Sequence, residues 1–424
     1  MSLRENKSES LDWLTIFMFG CLALFGWLMI IAVDFREDTF SLFDFGSQHG
    51  KQLIWIGSSV VIATLILLLD YRFITTLAYP YYAVMLLLLA ATLVLAPEVK
   101  GARSWFMIGP FTFQPSELAK AATALAMAKY ITSASTSMRQ FRTRVVSLML
   151  LVVPAGLIIL QGDTGSAIVF LGLIIVLFRE GFPVTLPLIG MYTAALFLLT
   201  VKYGPVVIII GLAVVFLALV GVMARNWKHN RTRVLAVTTI FLASVSFSYF
   251  VVDYVFNDVL KPHHQTRLNV LLGKEYSAGA DYNVLQSKIA IGSGGWVGKG
   301  YLEGTLTKGD FVPEQSTDFI FSTVGEELGF VGSAFLVTFF VLFLLRILFI
   351  AERQRSHFTR VYGYGVASIL FVHFAVNIGM AIGMLPVVGI PLPFISYGGS
   401  SLWGFTILIF LLLKLDANRK LVLR

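Results

Sequence analysis

Apolar residues in this chain come in long unbroken blocks separated by short polar turns, without the alternation of a half-buried strand or the polar stripe of a soluble helix. About twelve blocks approach or reach the length of a bilayer crossing: roughly 12–33, 52–69, 73–96, 115–133, 145–161, 165–178, 183–200, 205–224, 234–254, 318–350, 361–384 and 396–413. Unpaired backbone groups are costly in hydrocarbon, so each block is predicted to be helical. The expected fold class is an all-α polytopic membrane protein of about twelve transmembrane helices, a single membrane-embedded domain over 1–424. The first block has too long an apolar core for a cleaved signal peptide, and no A-x-A site follows it, so a retained anchor is expected.

One interval breaks the up-and-down pattern. Residues 255–317 form a loop of about sixty residues, dense in glycine (Gly292, Gly294, Gly295, Gly298, Gly300, Gly304) and mixed with charged side chains. A loop of this length is either functional or disordered. Tyr276, Tyr282, Ile289, Ile291, Trp296, Tyr301 and Phe311 favour packing, and Tyr282–Ile291 reads as a short amphipathic helix on the membrane surface.

Composition agrees with lipid as the solvent: 57% of residues are hydrophobic and 13% charged, with a mean hydropathy of +0.82, against about 25% charged in soluble domains. The formal charge of +8 is a matter of topology. With the N-terminus inside, inside segments carry eighteen Lys and Arg, while the short outside loops carry five: Arg36, Lys51, Lys100, Arg103 and Lys202. That asymmetry places both termini in the cytoplasm and 255–317 outside, and it argues against nucleic-acid binding. The lone cysteine, Cys21, excludes an intrachain disulfide and a Cys-rich metal site.

Several polar groups sit where hydrocarbon penalises them. Gln114-Pro115-Ser116-Glu117 opens one span, and Glu117 and Lys120 share a face at i, i+3. A charge at the bilayer centre costs roughly 2.5–3.5 kcal/mol, so the pair must face protein or water, as a structural ion pair or as part of a site. Asp318 lies where the long loop meets the tenth span, beside Glu314. It reads either as a first-turn helix acid or as a carboxylate whose partial desolvation suits a general base. Glu326 and Glu327, between Gly325 and Gly329, read as a packed or interfacial turn. Residues Gly389–Ser401, with Pro391, Pro393, Ser396, Gly398 and Gly399, interrupt an apolar region. Broken backbone at membrane depth is buried in protein or lines a cavity, which suits catalysis and transport alike. Arg103 and Trp105, on the outer loop before the Glu117 span, are a phosphate ligand or an interfacial anchor. Arg267, after His263 and His264, is a further cation for an anionic group.

At these residues the chain resembles the SEDS (shape, elongation, division and sporulation) family. The matching pieces are Gly101–Trp105, Gln114–Lys120, Gln161–Ala167, Gln265 with Arg267, Tyr282–Gly300, Pro313–Gly329 and Asn377–Ser401. The run Gln286–Gly295 resembles the RodA branch more than the FtsW branch, and it adds Gln286, Ser287 and Lys288 to the substrate-binding candidates. The resemblance implies a peptidoglycan glycosyltransferase for cell elongation. Such an enzyme polymerises lipid II at the outer face of the bacterial inner membrane beside a class B penicillin-binding transpeptidase, with Asp318 at the family's catalytic acid.

Three features depart from the family's pattern. Ser316 stands where a His is frequent, Gly162 stands where a Pro is usual, and 183–224 adds a helical pair to a ten-helix core. That pair contains no acid and one base, Lys202, so it is expected to be peripheral. An α-linked donor giving a β-1,4 bond implies inversion, hence one general base and cationic support for the departing diphosphate. The resemblance assigns the base to Asp318; Arg103, Lys120 and Arg267 are the cationic candidates. Mg or Mn would serve as cofactor if a divalent cation takes part. A lipid-II flippase or an FtsW-like division polymerase is the alternative.

Overall fold

The computed structural model describes residues 11–36, 40–99, 101–109, 111–133, 136–224, 227–260, 265, 268–269, 272 and 280–419. Every predicted block is helical. The helices are α1 (Trp13–Asp34), α2 (Gln48–Leu68), α3 (Tyr71–Leu95), α4 (Pro115–Ile131), α5 (Phe141–Leu160), α6 (Thr164–Leu171), α7 (Ile174–Arg179), α8 (Thr185–Tyr203), α9 (Pro205–Ala224) and α10 (Trp227–Ser246). They continue with α11 (Ala280–Ser293), α12 (Thr305–Lys308), α13 (Ile320–Glu352), α14 (His357–Ala381) and α15 (Gly399–Ala417). Among the described residues nine helices are long and apolar enough to cross a membrane, and Thr164–Arg179 and Pro187–Tyr203 are shorter apolar stretches. A two-stranded hairpin, Phe106–Ile108 with Phe111–Phe113, precedes α4.

The chain divides into two compact units, Met1–Phe182 with Asn283–Arg424, and Pro183–Tyr282. In the first, α4 is central: it packs against α3, α5, α14 and α15, and 14 of its 17 residues are buried. Its sequence explains the position. Alanines at 119, 121, 122, 124, 126 and 128 leave a thin helix that neighbours approach closely, the usual device where lipid removes the hydrophobic drive for helix pairing. The approach is tightest at Gly404 of α15, where an added methyl would lie 2.9 Å from the Glu117 carbonyl.

In the second unit α8, α9 and α10 pack together. The span predicted to end at 254 runs on: π-helical Phe247–Val251 and Val255–Val259 flank Val252–Tyr254, so helix extends through Val259. The apolar pattern had ended there because Asp253, Asn257 and Asp258 interrupt it. None of the most apolar window of α9 is buried within the chain, as expected of a lipid-facing surface.

Two further departures concern the long loop and the tenth span. The expected loop contains α11, close to the predicted 282–291, and α12. The 33-residue α13 is broken at Gly329 (φ 65°, ψ −161°), where a side chain would meet the Gly298 nitrogen at 2.3 Å. Residues Ile320–Leu328 thus form a short helix ahead of the crossing, and Glu326 and Glu327 are fully buried in it. Glu326 is satisfied by Lys299 Nζ (2.7 Å) and by the Leu306 and Thr307 nitrogens (both 2.9 Å), so it caps α12 from below.

Candidate active site

The segment after α14 cannot be helical: Pro391 and Pro393 lack N–H groups, and Gly389 and Phe394 adopt φ of 70° and 68°. The bulky Phe394 tolerates that conformation because rings enclose it, Phe19 at 5.2 Å, Phe405 at 5.5 Å and Phe343 at 5.6 Å between centroids. The exposed backbone polar groups are then satisfied one by one, as membrane depth demands. Asn377 Nδ2 donates to the Ile390 carbonyl (2.7 Å) and His373 Nδ1 to the Pro391 carbonyl (3.1 Å). The Leu392 nitrogen donates to Ser396 Oγ (2.8 Å), and the Gly398 nitrogen to Gln52 Oε1 (3.2 Å).

The same segment, together with Asn377 of α14, holds the start of α13. The Tyr397 nitrogen donates to the Ser316 carbonyl (2.8 Å), Ser396 Oγ to the Thr317 carbonyl (2.5 Å), and Asn377 Nδ2 to the Asp318 carbonyl (2.8 Å). Three consecutive residues are therefore pinned by their backbones, and the half-buried Asp318 side chain projects from a fixed base. A methyl group built on Gly389 would lie 3.4 Å from Asp318 Oδ2, so the carboxylate faces the broken segment. The helix proper starts at Ile320 with no side-chain cap at Phe319, which leaves Asp318 ahead of the first turn.

Beneath lies the ion pair. Lys120 Nζ donates to Glu117 Oε2 (2.7 Å), with both side chains almost wholly buried (2% and 3% exposed). Lys120 also meets His373 Nε2 at 2.8 Å and lies 4.9 Å from the Phe405 ring centre. An ammonium has only donors, so Nε2 accepts and the proton sits on Nδ1, facing Pro391. Gln114 ties in two more pieces: its Nε2 donates to Asp163 Oδ2 (2.7 Å) and its backbone nitrogen to Ser400 Oγ (3.2 Å). Asp163 also caps α6 through the Ser166 nitrogen (2.9 Å).

Residues 112–120, 161–166, 316–318 and 389–400, distant in sequence, thus converge. Other predicted residues stand elsewhere or play a different part. Arg103 is exposed, 3.7 Å from Glu98, with Trp105 half-buried two residues on. Glu314 is exposed at φ 56°. Ser287 Oγ donates to the Ala381 carbonyl (2.8 Å), Gln286 is half-buried, and Lys288 lies exposed along the Gly383 turn. The hydroxyls of Ser396 and Ser287 are engaged with backbone and so build the site's frame. Gly399 is covered by Trp55. Arg267, His263 and His264 lie outside the described residues. Sequence reasoning did not single out His373 or pick Asn377 as a site residue; the available signal was two polar residues at i, i+4 in an apolar span.

An apolar cavity of about 550 Å³ opens among α2, α3, α4 and α15, lined by Ile66, Phe73, Tyr81, Leu118 and Leu411. Among the described residues no three His, Cys, Asp or Glu side chains gather as a metal cage.

The chain was compared with known proteins. The profile of the FtsW/RodA/SpoVE cell cycle proteins matches residues 12–203 and 184–421. Peptidoglycan glycosyltransferase RodA of Treponema pallidum is 31% identical over 98% of this chain and 100% of its own length. Peptidoglycan glycosyltransferase MrdB of Escherichia coli is 36% identical over 76% and 73%. Among solved structures, a chain of a peptidoglycan synthase complex that coordinates polymerization and crosslinking has a TM-score of 0.69 at 26% identity, covering 97% of this chain and 98% of that one. The rod shape determining protein RodA of Thermus thermophilus has a TM-score of 0.60 at 25% identity, with the same coverage. Both the sequence match, which spans nearly the whole chain, and the shared polytopic helical fold lead to one assignment: this chain belongs to the SEDS family of FtsW/RodA/SpoVE cell cycle proteins, on its RodA-like side.

Proposed function

We propose that this protein is a peptidoglycan glycosyltransferase that polymerises lipid II into β-1,4-linked glycan for cell elongation, with Asp318 as general base. The observation that carries the reading is the Asp318 carboxylate, held by three backbone anchors at the mouth of a buried polar core. Its chemistry is one in-line displacement. Asp318 takes the proton of the acceptor sugar hydroxyl as that oxygen attacks the anomeric carbon of the donor, whose bond to diphosphate breaks with inversion. The diphosphate leaves with both electrons and calls for cationic support; with Lys120 committed, Arg103, Lys288 and Arg267 are the candidate cations, and lipid-II binding by their Ala variants would rank them. Lys120 is too deeply buried and too fully engaged to meet a diphosphate directly, so its part is structural. The apolar cavity beside α4 suits the polyprenyl tail. Any Mg or Mn ion would draw most of its ligands from diphosphate and water, and no step is assigned to it.

The charge asymmetry supports cytoplasmic termini and an outer-face site, and the likeness to a synthase-complex chain supports a class B penicillin-binding transpeptidase as partner. The test is lipid-II polymerisation by the purified protein, alone and with that transpeptidase. Asp318→Asn keeps the size of the side chain but accepts no proton at neutral pH, so rate should fall about 10²–10⁴-fold with folding and lipid-II binding retained. Near-normal glycan synthesis by the Asn protein would refute the base assignment, and lipid-II translocation without polymer would favour a flippase.

A further inference from the structure

His373 and Asn377 lie one turn apart on α14, both essentially unexposed, in a helix otherwise apolar around them. Both nitrogens of the His373 ring are committed, Nε2 to the Lys120 ammonium and Nδ1 to the Pro391 carbonyl, and the ring stands edge-on to Phe405 at 4.9 Å. A ring flip would put carbon at both nitrogen positions and forfeit both bonds, so a single orientation is locked in. Asn377 donates to the carbonyls of Asp318 and of Ile390, the residue before Pro391. Two side chains on one helix face therefore hold consecutive carbonyls of the broken segment, and one of them also holds the Asp318 backbone. Gly389, directly before, is the residue that faces the Asp318 carboxylate.

We propose that His373 is a positioning residue for glycosyl transfer: its Nδ1–H holds the Pro391 carbonyl and so fixes the Gly389–Pro391 backbone against the Asp318 side chain, while the Lys120 ammonium on Nε2 keeps the proton on Nδ1. The proposal rests on Asp318 being the base. Its physical content is that a general base must be placed to a fraction of an ångström, and a misplacement of about 1 Å costs on the order of 10²-fold in rate. The Glu117–Lys120 pair then has a role beyond helix packing, because the ammonium on Nε2 selects the tautomer that donates to Pro391.

Two substitutions separate the ring's two bonds. In His373→Gln the amide oxygen reaches the place of Nε2 and keeps the bond from Lys120, but the donor to Pro391 is gone. In His373→Asn the amide nitrogen takes the place of Nδ1 and keeps the donor to Pro391. With purified full-length protein and lipid II, His373→Gln should lower kcat by about 10–100-fold while KM and Tm stay near the parent's. His373→Asn should hold kcat within about threefold. If His373→Gln does not fold, Asn377→Ser reads the same connection, since it reduces two donated bonds to at most one; the same kcat-selective loss is expected.

Three results would overturn the proposal: an unchanged kcat in His373→Gln, equal loss in the Gln and Asn variants, or a loss explained wholly by lower Tm and folded yield. Asp318→Asn run in parallel separates the two readings. A normal Asp318→Asn enzyme sinks the base and this proposal together. An inactive Asp318→Asn with an unimpaired His373→Gln sinks the positioning role alone.

Discussion

Asp318 and the Glu117–Lys120 pair could be picked from the chain because a charge in an apolar context is costly enough to need a reason. What the sequence did not show is how they are connected, since His373 and Asn377 are ordinary polar residues until their partners are known. The pair's energetics give a test. Removing one member leaves the other charge buried without its counter-ion, which costs about 3–5 kcal/mol, whereas apolar replacement of both is far milder. Lys120→Met and Glu117→Gln singly should therefore lower thermal stability sharply in detergent. The double variant should recover much of the loss, and additive losses would mean the two side chains do not act as a pair.

Helices were legible as elements because a spanning segment must be apolar throughout, and the twelve predicted blocks meet helices in turn. Interruptions were less legible. The break at Gly329 in α13 depends on a partner loop more than thirty residues upstream in sequence. There Gly294 and Gly298 let backbone touch backbone: a methyl group on Gly294 would lie 2.0 Å from the Gly325 carbonyl oxygen. Gly294→Ala should cost about 1–3 kcal/mol through that clash. Gly292→Ala, with open space around its position, should be neutral or slightly stabilising as a helical Gly-to-Ala exchange. Thermal unfolding of the two variants side by side checks the contrast, and equal behaviour would remove close approach as the reason for this glycine cluster.

Across the whole molecule, three distant helix ends are joined by charge. Asp12, the N-cap of α1, accepts from Arg346 (2.5 Å) and Arg353 (2.7 Å), and Arg353 also donates to the buried Asp416 in the last turn of α15 (2.5 Å). Burial alone would raise the Asp12 pKa, but hydrogen bonds from Arg346, Thr15 and Arg353 outweigh it and bring the group from 3.8 to about 2. A depressed carboxylate stabilises the fold above its unfolded pKa, and the contribution fades as pH falls through the folded value. The Tm gap between parent and Asp12→Asn should be constant from about pH 7 to 5 and shrink from about pH 4 towards 2. A gap independent of pH would show that Asp12 acts only as a cap. The orientation of these ends is testable too. In a Cys21→Ser background, an impermeant thiol reagent applied from outside should label Glu303→Cys and miss Ser137→Cys; the reverse pattern would invert the topology.

The sequence by itself determined that this is a polytopic helical membrane protein, which segments span, and which charged residues need an explanation. Those properties follow from the local cost of placing each residue in hydrocarbon, a quantity that needs no knowledge of neighbours. The tertiary structure alone decided which partners those residues meet. It brought residues 112–120, 161–166, 316–318 and 389–400 together, gave Lys120 a second partner in His373, and spent the hydroxyls of Ser396 and Ser287 on backbone. The physical reason is that hydrogen-bond partners in a membrane core are chosen by proximity between segments hundreds of residues apart, and no local pattern records that choice.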